Sequence, residues 1–279
     1  MAQLEAAKWH DLGLRTLSAV LLIPSVLLVV WLGGVWFSLL IALVGVVTAL
    51  EWTNLAHRQD ALQFTLHAAA GLCGAFLPHS AGILVAAGAI AALWLISAAL
   101  TWSRGGGAIP WPYLGVPYVG FPALALVQLR EDANFGLLVI LWILVIVWAA
   151  DTLAYFAGRI IGGPKLAPII SPKKTWAGLA GAIVGGAIAS AMFAAVMKLD
   201  AVGKLALLGG FLALVAQAGD LFKSGLKRYY GVKDSGRLIP GHGGIIDRVD
   251  GLVAAAVVAA LVGLARSGPM ATGAGLLLW

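Results

Sequence analysis

Three aspartates lie at the two ends of one polar stretch, residues 219–250, in a chain that is otherwise strongly apolar. Asp220 follows one apolar run, and Asp247 and Asp250 lie at the start of the next. Carboxylate oxygens are the ligands that Mg²⁺ prefers, and acids at membrane depth tend to be functional because their burial is costly. The pattern predicts that Asp220 and Asp247, with Asp250 as a weaker candidate, hold Mg²⁺. The alternative is that these aspartates cap helices or pair with basic neighbours.

Basic side chains and glycines are interleaved with these aspartates. If the helix that carries Asp220 continues, Ser224 and Lys227 lie on the same face of it. Basic groups alone could anchor the protein to anionic lipids, but that account does not explain the glycines of the segment PGHGG. Glycine permits close backbone approach, and successive exposed amides form anion-binding concavities. The stretch therefore favours a phosphate site, although a histidine such as His242 is more often structural than chemical.

A second basic segment, SPKKT, comes directly before another apolar run. Ser171 and Thr175 are predicted to cap the helix that follows, with Pro172 in its first turn. The N-terminus of that helix would favour anions, so Lys173 and Lys174 are candidates for binding phosphate. The excess of basic residues on the cytoplasmic side of membrane proteins explains the same two lysines equally well.

Two more acids lie within or beside apolar runs. Asp151 is inside one run, and the sequence leaves open whether it makes a structural hydrogen bond or takes part in the site. Glu51 lies near the end of another run and is predicted to face the membrane interface.

The elements that must position these groups are membrane helices. Of the 279 residues, 61% are hydrophobic and 11% are charged, whereas a soluble domain has roughly 25% charged residues. An apolar run of about 20 residues crosses a bilayer. The sequence predicts an all-α, polytopic integral membrane protein with a polar cytoplasmic active-site loop and about nine transmembrane helices, at 16–32, 35–54, 62–78, 81–101, 112–128, 135–157, 176–197, 205–222 and 246–265.

Charge predicts the orientation of these helices. With nine spans, 14 of the 18 Lys and Arg residues fall on the side of the N-terminus, which also carries the polar stretch. The positive-inside rule places that side in the cytoplasm and the C-terminus outside. The basic residues flank membrane helices and form neither a tail nor a soluble module, so nucleic acid is excluded as a partner. Anionic lipid headgroups or phosphorylated substrates fit the net charge of +6 better.

The polar stretch resembles the signature of the phosphatidate cytidylyltransferase family, also called CDP-diacylglycerol synthases. The segments SPKKTWAG and GDLF are also similar to bacterial members, so the resemblance covers roughly the C-terminal half. Two positions depart from the family's pattern, because Ala177 and Lys223 stand where members often carry glutamate. The signature positions in this chain are Ser224, Lys227, Arg228, Lys233, Asp234, His242, Gly243, Gly244, Asp247, Arg248 and Asp250.

The resemblance implies transfer of CMP from CTP to phosphatidate, giving CDP-diacylglycerol and pyrophosphate, with Mg²⁺ and room for a second cation. It implies an enzyme of phospholipid biosynthesis in a bacterial-type inner membrane, surrounded by membrane lipid and compatible with a homodimer. One membrane domain, 1–279, would hold N-terminal helices over 1–130 and a catalytic half over 131–279. The acyl chains of the lipid substrate must stay in the bilayer, so a cleft between the last spans that opens sideways is expected.

The resemblance also assigns roles to individual residues. Catalysis falls to Asp220, Lys227, Asp247 and Arg248, and metal binding to Asp220, Asp247 and Asp250. Substrate binding falls to Ser171, Lys173, Lys174, Thr175, Ser224, Arg228, Lys233, Asp234, His242, Gly243 and Gly244.

Two other functions remain open at this point. A CDP-alcohol phosphotransferase also handles CDP-lipids with membrane aspartates, although its paired aspartate motif is absent from this sequence. A transporter of a phosphorylated solute would also need a basic cytoplasmic pocket, but such folds often contain internal repeats, and the polar stretch occurs once.

Overall fold

The computed structural model describes residues 20–105, 107, 109–236 and 243–279, and within them the chain is a bundle of membrane-length helices. Among the described residues, eight helices are long and apolar enough to cross a membrane, with α5 counted together with the 3-10 turn Trp111–Tyr113 before it. The helices are α1 (Val20–Leu32), α2 (Gly34–Ala56), α3 (Ala61–Ala81), α4 (Ile83–Ser103), α5 (Gly115–Arg130), α6 (Gly136–Ile160), α7 (Trp176–Val196), α8 (Val202–Tyr229), α9 (Ile246–Ser267) and α10 (Thr272–Leu277).

The prediction of an all-α polytopic membrane protein is confirmed by these helices. Eight of the nine predicted spans correspond to α2 through α9. The first predicted span, 16–32, begins outside the described residues. Its described part, α1, is a helix shorter than the ~20 residues that crossing requires.

Helix α8 is longer than the apolar run that predicted it. The run suggested 205–222, whereas the helix continues through the charged residues to Tyr229. Three of its charged side chains there, Asp220, Lys223 and Lys227, form ion pairs inside the protein, as described below, so the polar turns remain helical. The conditional prediction that Asp220, Ser224 and Lys227 lie on one helix is therefore confirmed.

A short antiparallel hairpin, β1 (Lys165–Ala167) and β2 (Ser171–Thr175), precedes α7. The prediction that Ser171 caps α7 and that Pro172 lies in its first turn is wrong, because both residues belong to β2 and Ser171 pairs with Ala167. The cap is Thr175 alone, whose Oγ1 accepts a hydrogen bond from Gly178 N at 3.0 Å. Because Thr175 already caps the first turn of α7, the residues before it can pair with β1 instead.

Small residues allow α6, α7 and α8 to pack closely. A Cβ at Gly185 would lie 3.0 Å from the carbonyl oxygen of Ala149 on α6, and one at Gly186 would lie 2.7 Å from that of Gly209 on α8. Close backbone approach at small residues is typical of helix packing in membranes. A buried hydrogen bond from Trp142 Nε1 to Ser190 Oγ, 2.8 Å, joins α6 and α7. This three-helix unit supports the hairpin and one wall of the site.

Candidate active site

The site is centred where α8 and α9 approach most closely. A Cβ at Gly219 would lie 2.6 Å from the carbonyl oxygen of Asp250, so only glycine allows this contact. The close approach brings Asp220 on α8 beside Asp247 and Asp250 in the first two turns of α9. Residues that are far apart in sequence therefore share one cluster, as the sequence predicted.

One ammonium group lies among these three carboxylates. Lys223 Nζ is 2.7 Å from Asp220 Oδ1 and 3.8 Å from Asp247 Oδ1, and it contacts Asp250 Oδ2. The lysine itself is buried. Its charge offsets the cost of burying several carboxylates close together.

Asp247 is held through both of its carboxylate oxygens. Lys227 Nζ donates to Oδ1, while Ser235 donates to Oδ2 from its backbone N, at 2.9 Å, and from its Oγ, at 3.1 Å. The ion pairing that the sequence left as an alternative to metal binding is thus present for Asp247. The same contacts fix the orientation of the carboxylate toward α8.

A hydrogen-bond chain links Asp220 to helix α6 through the hairpin. Lys174 Nζ, on β2, lies 2.6 Å from Asp220 Oδ2 and donates to Gln217 Oε1 at 2.8 Å. Gln217 Nε2 donates in turn to Asp151 Oδ1 at 2.9 Å. Asp151 therefore has the structural hydrogen bond that the sequence left open, and it also lines the neighbouring cavity. Gln217 was not predicted, since one amide in an apolar run gives no signal.

Next to this chain lies a cavity of about 340 Å³ between α6, the hairpin, α7 and α8. Three basic side chains line it, Lys173, Lys174 and Arg159, and Asp220 lies on its wall. Arg159 was not among the predicted site residues. The cavity is formed by α6, α7 and α8, whereas the sequence led us to expect a cleft between the last spans.

Glu51, at the cytoplasmic end of α2 in the predicted orientation, is an unforeseen part of the site. The prediction that it faces the interface is wrong, since it is 2% exposed. Its Oε2 accepts from Ile246 N, 3.0 Å, and its Oε1 accepts from Ile245 N, 2.8 Å. Its Oε2 also lies 3.0 Å from Ser235 Oγ, whose one hydroxyl proton is shared between Glu51 and Asp247. A carboxylate at the first amides of α9 satisfies donors that have no intrahelical partner. Glu51 thus fastens the polar stretch to the N-terminal helices.

We expect Glu51→Ala to lower the free energy of unfolding by about 2–4 kcal/mol, because it leaves several buried donors unpaired. It should also lower turnover, since the amides of Ile245 and Ile246, directly before Asp247, lose the carboxylate that fixes them. Thermal unfolding and turnover in detergent would measure both effects. The matched control is Glu131→Ala, whose carboxylate pairs with His79 away from the site. Equal melting temperatures for the two variants would contradict the role of Glu51.

The remaining predicted residues lie around this centre. Arg228 Nε donates to the carbonyl of Ile170, 3.2 Å, and so ties α8 to the hairpin. Gly243 has a φ of 77°, a region that favours glycine, and a Cβ at Gly244 would collide with Ser235 and Glu51. His242 lies outside the described residues. Ser224 is on α8, Lys233 and Asp234 are exposed in the loop after it, and Arg248 is in the first turn of α9.

Within the described part of the chain, no group of three or more acidic, His or Cys side chains is arranged to hold a metal ion, since lysines lie between the aspartates. The donors are nevertheless carboxylate oxygens, the type that Mg²⁺ prefers. Asp220 and Asp250 already direct one oxygen each at the same cationic nitrogen. These carboxylate oxygens thus converge on one cation, the Lys223 ammonium group, and a metal ion would have to share or take that position.

Comparison with known proteins gives consistent matches. Residues 13–265 match the model of the cytidylyltransferase family. A phosphatidate cytidylyltransferase of Brucella abortus (strain 2308) is 42% identical over 259 residues, which cover 91% of this chain and 93% of that protein. One from Haemophilus influenzae is 34% identical over 86% of this chain and 94% of that protein. One from Bacillus subtilis is 42% identical over 138 residues, 49% of this chain and 51% of that protein.

Proposed function

Because the chain belongs to the cytidylyltransferase family, we propose that it is a phosphatidate cytidylyltransferase, which makes CDP-diacylglycerol and pyrophosphate from CTP and phosphatidate. The matches confirm the resemblance found in the polar stretch. One observation carries the assignment to this site. Lys174 lines a basic cavity and also contacts Asp220 of the carboxylate cluster. In our proposal the cavity binds phosphate, so this one side chain connects the phosphate site to the carboxylates.

The reaction requires two polyanions to approach each other. An oxygen of the phosphatidate phosphate attacks the α-phosphorus of CTP, and the bond from that phosphorus to the bridging oxygen breaks, so pyrophosphate leaves with the electron pair. A phosphate monoester has a second pKa of about 6, so most of it carries both negative charges at neutral pH. No strong general base is needed, and the protein's task is to position the two phosphates and offset their charge.

Basic residues on the cavity wall perform this task in our proposal. Lys173 and Arg159 offer positive charge to a phosphate in the cavity. Lys174 also lines the cavity, and its own side chain is held in place by Asp220 and Gln217. Lys227, which is fixed by Asp247, offers a further cation from the α8 side. Developing negative charge on the leaving pyrophosphate is stabilised by such preorganised groups.

Asp220, Asp247 and Asp250 are the residues that would hold Mg²⁺, as their oxygen donors allow. The ion, when bound, offsets phosphate charge and stabilises the leaving group. A homodimer remains a prediction of the sequence.

The lipid substrate would enter from the side of the bundle. Tyr155 and Phe156 on α6 are exposed large side chains close to the cavity, and Tyr155 lines it. An apolar surface beside a basic cavity suits a substrate whose acyl chains stay in the bilayer while its phosphate reaches the lysines. In our proposal, membrane lipid therefore covers this face of α6.

The orientation proposed from charge places the hairpin in the cytoplasm of a bacterial-type inner membrane. Two exposed residues test it, Ile169 at the hairpin turn, 90% exposed, and Met270 after α9, 91% exposed. With Cys73, the single cysteine of the sequence, replaced by alanine, we expect Met270→Cys to react with an impermeant thiol reagent in intact cells. Ile169→Cys should react only after the cells are permeabilised. Labelling of Ile169→Cys from outside would reverse the orientation.

The function itself is tested with the purified protein, labelled CTP, Mg²⁺ and phosphatidate. We expect a labelled lipid product and stoichiometric pyrophosphate. A CDP-alcohol phosphotransferase would instead consume CDP-diacylglycerol without using CTP, and a transporter would give no covalent product. Absence of CTP-dependent lipid labelling, in protein shown to be folded, would contradict the proposal.

A further inference from the structure

We propose that Lys223 is a built-in cation of the carboxylate cluster, which competes with Mg²⁺ and keeps the site's affinity for free Mg²⁺ low. This inference deepens the proposed function and rests on the assignment of Asp220, Asp247 and Asp250 as the metal-binding residues. It starts from the position of the ammonium group, which lies where the three carboxylates converge.

Lys223 differs from the other two lysines of the site in how many carboxylates it reaches. Lys174 pairs with Asp220, and Lys227 pairs with Asp247. Among the described residues, Lys223 is the lysine within 4 Å of carboxylate oxygens from all three aspartates. The ammonium group therefore occupies the position at which a bridging metal ion would gain most from these donors.

Charge balance makes the competition strong. The three aspartates carry three negative charges, and Lys174, Lys223 and Lys227 carry three positive ones, so these six side chains are balanced before any metal binds. A divalent cation that enters this group is repelled by the three ammonium groups as well as attracted by the three carboxylates, so it gains little net attraction, and the burial of the cluster keeps screening by solvent small.

Lys223 cannot move far from the cluster when a metal arrives. It is on the same helix as Asp220, one turn further on, and its side chain is buried between α8 and α9. The ion must either displace this ammonium group or bind beside it, and both cost affinity. A nucleotide would reverse the balance, because its phosphates add negative charge to the site. Mg²⁺ is thus expected to bind weakly alone and to arrive together with CTP.

The test measures metal binding without turnover. Mn²⁺, as a probe for the divalent site, is titrated into the full-length protein in detergent without nucleotide, and free Mn²⁺ is followed by electron paramagnetic resonance. We expect Lys223→Gln to bind Mn²⁺ at least about tenfold more tightly than the unmodified protein, since one nearby positive charge is removed. Lys223→Met removes the same charge and carries the same expectation should the glutamine variant fail to fold.

Two controls separate charge from general disturbance. Lys223→Arg keeps the positive charge, so its affinity for Mn²⁺ should stay within about twofold of that of the unmodified protein. Lys204→Gln removes a lysine that lies over Trp279, far along α8 from the cluster, and should behave likewise. Adding Asp220→Asn to Lys223→Gln should abolish the gain, because the tighter binding depends on that carboxylate.

The outcomes distinguish this inference from the proposals on which it rests. Unchanged or weaker Mn²⁺ binding in the folded neutral variants overturns the role of Lys223 while leaving the metal site in place. No Asp220-dependent binding in any variant overturns the metal assignment and the inference together. The CTP assay described above decides the proposed reaction separately.

Discussion

Asp247→Asn and Asp220→Asn are each expected to lower the turnover of CTP by about 10²- to 10³-fold, the range found when one preorganised electrostatic group is removed. Asparagine keeps the shape of the side chain but removes the charge that a hard cation requires. In Asp247→Asn, Lys227 also loses the carboxylate that fixes it. In Asp220→Asn, Lys174 and Lys223 both lose an ion-pair partner.

Mg²⁺ titrations and melting temperatures on the same two variants identify the cause. If the aspartates bind metal, raising Mg²⁺ should recover little activity. If they serve only as caps or ion-pair partners, the substitutions should mainly lower stability, by about 1 kcal/mol for a cap, and the Mg²⁺ dependence should not change. Asp200→Asn, in the exposed turn between α7 and α8, is the control. Near-normal turnover with an unshifted Mg²⁺ midpoint in Asp220→Asn would remove that residue from the metal site.

Lys174→Ala is expected to have the second-largest effect, a loss of about 10² in kcat/KM, because the lysine joins the cavity to the cluster. Its removal leaves Asp220 with one ion-pair partner fewer and Gln217 without a donor at Oε1. We expect kcat to fall as well as KM to rise, since the disturbance reaches the carboxylates.

The neighbouring Lys173→Ala is a matched comparison on the same strand. Lys173 is exposed and lines the cavity, and no ion pair of it is seen in the described part of the chain. Its loss should mainly raise the KM for CTP or phosphatidate, by about tenfold or less, as expected for a solvated charge contact. If both variants show normal kinetics at equal protein level, the two lysines serve topology alone and the cavity is not the phosphate site.

The apolar pattern of the sequence was sufficient to predict the membrane helices. Runs of about 20 apolar residues have one stable arrangement in a bilayer, because every backbone polar group must be satisfied within the segment. The same logic identified the polar stretch, since charges next to such runs are costly and stand out. The signature within that stretch was long enough to identify the family, which the comparisons confirm.

The local sequence pattern was less informative where the same residues could serve in two kinds of structure. Ser171 and Pro172 fit a helix start by type, yet they pair with β1, because Thr175 alone satisfies the first turn of α7. The apolar run that predicted α8 ended at 222, although the helix continues to Tyr229. Hydropathy counts each charge as if it were isolated, whereas Lys223 and Lys227 are paired with aspartates of α9.

The sequence by itself determined the fold class and the family, and it predicted candidate charged side chains for the site. Only the tertiary structure decided which of these groups meet. Glu51 lies far from Ile246 in the chain but hydrogen bonds to its amide, and Lys223 lies among three carboxylates from two helices. Glycines permit both arrangements, because Gly236 and Gly244 leave room for Glu51, and Gly219 lets α8 approach Asp250 on α9. Helix periodicity assigns a residue to a face, but contacts between distant faces depend on how the whole bundle packs.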